Sequence, residues 1–464
     1  MNQPASKTKR KLVSVLHRYF SGNAMDYKQT FGIILPIFVD HAFLVLMSLL
    51  NTAMIGAAGV AAISAVSMVE SLNLFIVNLF LALAAGGTVI VAQYKGSGKE
   101  EMLSKAVAQA ISVVTIASVL IGALVIGFHV GILDVLFGGA EPEVFDNARL
   151  FLIGNCLTFP FIGVYQAVTG ALRGVGATRV SLLLSVILNV TNFVFNLVFI
   201  LMLDMGVVGL VIALLLSRVI GMAAAIGYMV KYRPIPLFAF RDTLKLDPSI
   251  VRKIMYIGVP FAMEQVFFNG GKLLTQTYIV QFGTLALTVN AIGNTIAGVF
   301  QIGANALGVA IVTVVGQCIG RGDVPDARKF VKSFSWLSTL WFVVAAAVLL
   351  PAFPYMVRMF SPPEEIIPTI FALMVMIAIG QPLFWTLSFL LPSALRAAGD
   401  SKFTSIAALI TMWVVRVVLG YVLGVTLGFG IVGVWAAMTV EWGIRGALFA
   451  WRFKGDKWYR HNLV

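Results

Sequence analysis

An all-α polytopic membrane protein, with twelve transmembrane helices in two six-helix lobes, is the fold this sequence predicts. Three observations predict it. Of 464 residues, 59% are hydrophobic and 11% charged, where a soluble globular chain carries about 25% charged residues. Apolar stretches of about 20 residues recur along the whole length, each long enough to cross a hydrocarbon core about 30 Å thick. The second half of the chain also repeats the first at a nearly constant offset.

The elements follow in order. Residues 1–29 form a basic segment in which "SKTKRKLVSVLHRYF" mixes cationic and apolar residues, either lying along the cytoplasmic membrane face or standing off it as a solvated tail. Six spans centred near residues 42, 80, 116, 157, 190 and 218 make an N-lobe, 30–231. The linker 232–249 follows; its neighbourhood, "KYRPIPLFAFRDTLKLDPSI", is rich in proline and basic residues, as suits a tether between two moving bodies. Six further spans, centred near residues 265, 302, 340, 380, 414 and 441, make a C-lobe, 250–453, before a tail at 454–464. The first apolar run begins near residue 31 without a small-residue cleavage site, so no signal peptide is expected.

The net charge of +13 raises the question of nucleic acid. Most of the 33 Lys and Arg residues, however, fall in the N-terminus, the C-terminus and the even-numbered loops. That distribution places both termini in the cytoplasm of a multi-pass protein of the plasma (inner) membrane. A basic cytoplasmic rim explains the charge, and no nucleic-acid partner is expected. Cys156 and Cys318 both lie in spans, so neither a disulfide framework nor a metal cluster is suggested, and no cofactor is expected.

Shifting the chain by 224 lays Pro36 on Pro260, Asp40 on Glu264, Gln93 on Gln317, Gly98 on Gly322 and Gly206 on Gly430. A shift of 223 lays "ALRGVGATR" (171–179) over "ALRAAGDSK" (394–402). Such an offset across six spans marks a duplicated six-helix bundle. Because six is even, the two lobes are expected to be related by a pseudo-two-fold axis along the membrane normal, with a site between them. One chain carries both halves and is expected to act as a monomer in the lipid bilayer.

Polar residues inside spans are costly and therefore informative. An aspartate at the centre of a membrane helix costs roughly 2.5–3.5 kcal/mol, and its ionised form bears most of that, which favours proton exchange at the carboxyl. Asp40 and Glu264 sit deep, and each follows a proline, Pro36 or Pro260, that tends to kink its helix. Glu441 has Arg445 four residues later and reads as a structural ion pair. Glu70 lies near the outer start of the second span, within reach of the interface. On the fifth span, Asn189, Asn192 and Asn196 share a helical face, and a polar stripe in lipid must face protein or water. The seventh span repeats this with Gln265, Asn269, Lys272 and Gln276, and the eighth with Asn290, Asn294, Gln301 and Asn305, so with Glu264 these suggest a wet C-lobe cavity.

With these residues in view, the chain resembles the multidrug and toxic compound extrusion family from about residue 26 to 454. The likeness rests on Pro-x-x-x-Asp in the first span, the loops "VAQYKGSG" and "VGQCIGRG", and both "ALR" loops. The resemblance implies a twelve-helix secondary exporter of small organic, often cationic compounds, driven by entering protons or sodium ions. It also implies an N-lobe ion site of Asp40, Asn192 and Asn196, to which Asn189 is added by its shared face. Leu214 replaces a sixth-span hydroxyl found in some members, and the tenth span "QPLFWTLSFLLPSALR" lacks the aspartate that accompanies the seventh-span acid in sodium-using members. These departures favour protons over sodium, with a sodium ion at Asp40 as the alternative.

Three rivals fit less well. A lipid-linked precursor flippase of the related superfamily would want a more cationic cavity than Arg218, Lys272, Arg416 and Arg445, plus Arg149 at a span edge, provide. A facilitator-superfamily carrier would carry a charged signature absent from "QYKGSGKEE". A membrane enzyme would need a nucleophile–base or metal constellation, and the four histidines are scattered.

Overall fold

The structure, a computed structural model, describes residues 7–55, 60–137, 142–235, 237–461 and 463–464. Among these residues there is no strand. The helices are α1 (Lys7–Phe20), α2 (Tyr27–Ile55), α3 (Val60–Ser97), α4 (Glu100–Gly127), the short α5 (His129–Phe137), α6 (Pro142–Gly174), α7 (Thr178–Asn196) and α8 (Gly206–Tyr232). The second half holds α9 (Pro248–Gln281), α10 (Thr284–Arg321), α11 (Val324–Phe360), α12 (Ile367–Gly380), α13 (Leu391–Ala397), α14 (Ser401–Ile410), α15 (Val418–Tyr421) and α16 (Gly430–Lys454). π-Helical turns join α12 to α13 and α14 to α15, so each of those pairs is one continuous crossing.

Ten helical stretches are long and apolar enough to cross a membrane by hydropathy alone. The other two crossings are α9 and α16, 34 and 25 residues long. Each carries internal charge, Glu264 and Lys272 in one and Glu441 and Arg445 in the other. The polar residues that dilute these two helices are the ones most worth following.

The duplication is written into the backbone. Left-handed residues recur at matched places: Gly98 with Gly322, Asp204 with Gly428 and Gly206 with Gly430 at an offset of 224, and Gly176 with Gly399 at 223. Gly322 shows why the residue type repeats. It ends α10 with φ +81°, and its N–H closes on the carbonyls of Cys318 and Ile319, a termination that a side chain would strain. π-Helical turns also recur at Leu197–Met202 and Val422–Thr426, where the fifth and eleventh spans end.

The chain forms two compact units, Val39–Gln265 and Met1–Phe38 with Val266–Val464. In the first, α6 is the central helix and packs against α3, α4 and α8. Close approach depends on glycine: a Cβ on Gly170 of α6 would stand 2.8 Å from the Thr88 hydroxyl, and one on Gly86 of α3 would stand 2.7 Å from the Ile254 carbonyl of α9. In the second, Phe300, Phe330, Phe334 and Phe342 are fully buried at the centre, and the Trp341 indole donates to the Phe300 carbonyl at 2.8 Å.

The chain passes from one unit to the other two residues beyond Pro36 in α2 and five beyond Pro260 in α9. Proline cannot donate its backbone hydrogen bond, which weakens the helix where the units part. Pro36→Ala restores that donor and is expected to keep the protein folded while slowing turnover several-fold, because a straighter helix holds one end state. Initial transport rates at matched expression check this, and a wild-type rate would mean the proline has no part in turnover.

The C-terminal tail is docked rather than loose. Trp458 is fully buried, and Arg328 donates to the Phe453 and Gly455 carbonyls and to Asp456. Asp400, between α13 and α14, accepts from Arg452 at 2.6 and 3.2 Å, and His461 stands 3.3 Å away. Burial pushes the Asp400 carboxyl up, but hydrogen bonds from His461 and Arg452 and the Arg452 charge outweigh it and hold it below the usual carboxylate range. A lowered folded pKa contributes stability above the unfolded value near 4 that is lost as pH falls. Asp400→Asn should therefore cost about 1.5–3 kcal/mol at pH 7. Melting curves of variant and wild type should converge below pH 4, and a gap that persists there would disprove the ionic origin.

Candidate functional site

Asp40 stands one helical turn beyond Pro36 in α2, in the unit formed by residues 39–265. Its Oδ1 is buried without a hydrogen-bond partner. The groups acting on the carboxyl are the Ser185 hydroxyl of α7 and the Arg173 charge at the end of α6. Tyr165 of α6, 5% exposed, joins them through the same Ser185 hydroxyl and feels the Asp40 charge. A carboxyl, a hydroxyl, a phenol and a guanidinium thus converge from three helices. Such a set can hold and pass a proton, since the hydroxyls can both donate and accept.

The fifth-span amides lie beside this cluster on the same α7 face. Asn189 donates to the Ser185 carbonyl at 2.9 Å. Asn192 donates to the Ser217 hydroxyl of α8 at 3.2 Å, and Asn196 donates to the side-chain oxygen of Asn192 at 3.1 Å. No hydrogen bond joins Asn192 or Asn196 to Asp40 among the described residues. Ser185 was legible in hindsight, being one turn before Asn189 on that face. Arg173 lies in the first "ALR" motif, but nothing in its spacing connects it to Asp40.

The same unit holds a second acid, Glu70, which accepts from Asn73 at 3.2 Å and feels the charge of Arg218 on α8. Arg218 in turn donates to the Thr158 hydroxyl of α6.

The unit built on residues 266–464 contains a cavity of about 160 Å³, lined by Lys272, Thr275, Gln276, Asn290, Asn294, Arg416, Trp435 and Met438 among others. Lys272, Gln276, Asn290 and Asn294 all line this cavity. Asn290 donates to Gln276 at 3.1 Å and accepts from the Trp435 indole at 3.1 Å. Asn269, Gln301 and Asn305 do not line this cavity, and Glu264 and Gln265 belong to the other unit. Among the described residues no group of three His, Cys, Asp or Glu side chains could hold a metal ion.

Comparison with known proteins fits this arrangement. The sequence pattern of the MatE family matches residues 36–198 and again 260–422, two intervals offset by the same 224 residues. The chain is 26% identical to an uncharacterized transporter, YisQ, of Bacillus subtilis, over 94% of this chain and 95% of that one. It is 24% identical to a probable multidrug resistance protein, NorM, of Thermotoga maritima, over 94% of each. In structure it is similar to a mutant form of the MATE transporter VcmN of Vibrio cholerae, with a TM-score of 0.85, 18% identity, and coverage of 97% of this chain and all of that one. The pattern matched twice, the duplicated six-helix build and relatives along nearly the full length lead to one conclusion: this chain belongs to the MatE family, the multidrug and toxic compound extrusion transporters.

Proposed function

We propose that this protein is an antiporter of the plasma (inner) membrane, with both termini cytoplasmic, that exports small organic compounds by alternating access in exchange for protons, and that protonation of Asp40 is the coupling step. One observation carries the ion assignment. Asp40 stands beside a hydroxyl, a phenol and a guanidinium, while the Asn192 amide is engaged by Ser217 and Asn196, which leaves the Asn196 side-chain oxygen as the amide acceptor without a partner among the described residues. A sodium ion would need several oxygens converging on the carboxylate and would be repelled by the Arg173 cation. A proton needs only a buried carboxyl and polar neighbours that relay it.

Uptake of a labelled small organic compound into proteoliposomes, under an imposed pH gradient and separately under an imposed sodium gradient, tests the proposal. Transport with the pH gradient and none with sodium alone is the expected result. The reverse pattern overturns the proton assignment.

Glu264 occupies the place of Asp40 in the second repeat but lacks the tenth-span acid that would accompany it. Glu264→Gln is expected to lower the transport rate only a few-fold, against loss of coupling in Asp40→Asn. An inactive Glu264→Gln beside a working Asp40→Asn would reverse the ranking and move the coupling site to the second repeat.

A further inference from the structure

Three of the four cations that the sequence scatters through membrane spans meet around one ring. Lys272 of α9, Arg416 between α14 and α15, and Arg445 of α16 lie 5.0, 5.9 and 5.5 Å from the centre of the Phe268 ring. Arg445 is engaged by Glu441 at 3.1 Å and by the Ser388 hydroxyl at 2.6 Å. Glu441 is the single acid beside these three cations; it pairs with Arg445 and its charge also reaches Arg416, but neither Lys272 nor Arg416 has an ion pair among the described residues, so cations outnumber acids here. Arg416 reaches the Met438 thioether at 3.1 Å, a weak acceptor, and its Nε has no hydrogen-bond partner. Lys272 feels the charges of Arg416 and Arg445, both of its own sign.

Cations in excess of acids in membrane helices are costly and persist where they face a wet cavity and serve a ligand. Lys272 and Arg416 both line the 160 Å³ cavity, beside the Gln276 amide, whose side-chain oxygen accepts from Asn290. Ligand pockets that enclose a whole drug-sized molecule run from about 300 to 1,000 Å³. This cavity is smaller, so it suits a compact headgroup rather than an entire compound. Cations that outnumber the acids beside them, together with an amide, select a negatively charged one.

We propose that this cavity binds the acidic headgroup, a carboxylate or a phosphate monoester, of an organic compound, with Lys272 and Arg416 as its principal partners and Arg445 held beside them by Glu441. The proposal rests on the reading of the chain as a carrier and narrows its cargo to compounds that bear an acidic group, whether or not they also carry a cation.

The test is binding to the purified full-length protein in phosphatidylcholine nanodiscs, followed by calorimetry without any gradient, with empty discs as the baseline. The probes are 1-naphthoate, 1-naphthyl phosphate and the uncharged 1-naphthamide. At least one of the two anions is expected to bind more tightly than the amide by about 10- to 100-fold, the worth of a charge-assisted contact. Lys272→Met and Arg416→Met should each remove most of that preference, and Lys272→Arg should keep it; melting temperatures report whether each variant is folded. Equal binding of both anions and the amide to the wild type would overturn the proposal without recourse to any variant, as would an undiminished preference in folded Lys272→Met. Adding phosphatidic acid to the discs separates two sources of the anion: displacement of the naphthyl probe assigns the site to a lipid phosphate and no displacement to a soluble compound, and both outcomes support an acidic ligand. Because no gradient is applied, anion preference without proton-driven transport would refute the coupling reading and leave this one standing.

Discussion

Asp40→Asn will give a folded protein that no longer moves substrate uphill on a proton gradient. The asparagine keeps the size of the side chain and its ability to meet the Ser185 hydroxyl, so the fold around this position has no reason to fail. What it removes is the change of charge. In the wild type the carboxylate is held by Ser185 and by the Arg173 charge, with Tyr165 alongside, and the protonated form gives up the attraction to Arg173. If substrate and proton favour different states of this cluster, each weakens the other's binding by the same factor, typically 5- to 150-fold. Wild-type substrate affinity should therefore fall on acidification, while Asp40→Asn should show a flat pH dependence and gradient-driven transport at the level of passive leak. Purified Asp40→Asn that still concentrates substrate on a pH gradient would remove Asp40 from the coupling step.

Arg445→Met is expected to cost about 3–5 kcal/mol of stability, the usual penalty for stranding one partner of a buried ion pair. Arg445 is 2% exposed and Glu441 not at all. The carboxylate keeps only the Thr411 hydroxyl at 3.2 Å once the guanidinium is gone, and its other oxygen has no hydrogen-bond partner even now. Arg445 also stacks on Phe389 at 4.3 Å, a contact that methionine can replace in part. The double variant Glu441→Gln/Arg445→Met should thus recover much of the loss, because it strands no charge. Thermal melts of the three proteins check this, and a single variant as stable as the wild type would show that the pair contributes nothing.

The crossings, the duplication and the residues that matter individually were legible along the chain. Hydropathy acts along the chain, so twelve crossings were visible as apolar runs, even though the charges of α9 and α16 keep these two below the hydropathy that the other ten reach, and the offset of 224 sorted the twelve into two repeats. Asp40 stood out because one carboxyl in an apolar helix is expensive wherever the helix goes. Helical periodicity sorted Asn189, Asn192 and Asn196, and likewise Lys272 with Gln276, onto common faces. It could not say which faces meet. The convergence of Tyr165, Arg173 and Ser185 on Asp40 joins α6 and α7 to α2, and that of Lys272, Arg416 and Arg445 on Phe268 joins positions up to 177 residues apart. Read along the chain, those three cations are isolated exceptions, too few for a cationic cavity. Only tertiary packing decided that they gather around one ring, with Lys272 and Arg416 lining one cavity, because electrostatic interaction depends on distance in space and a linear pattern carries none between helices.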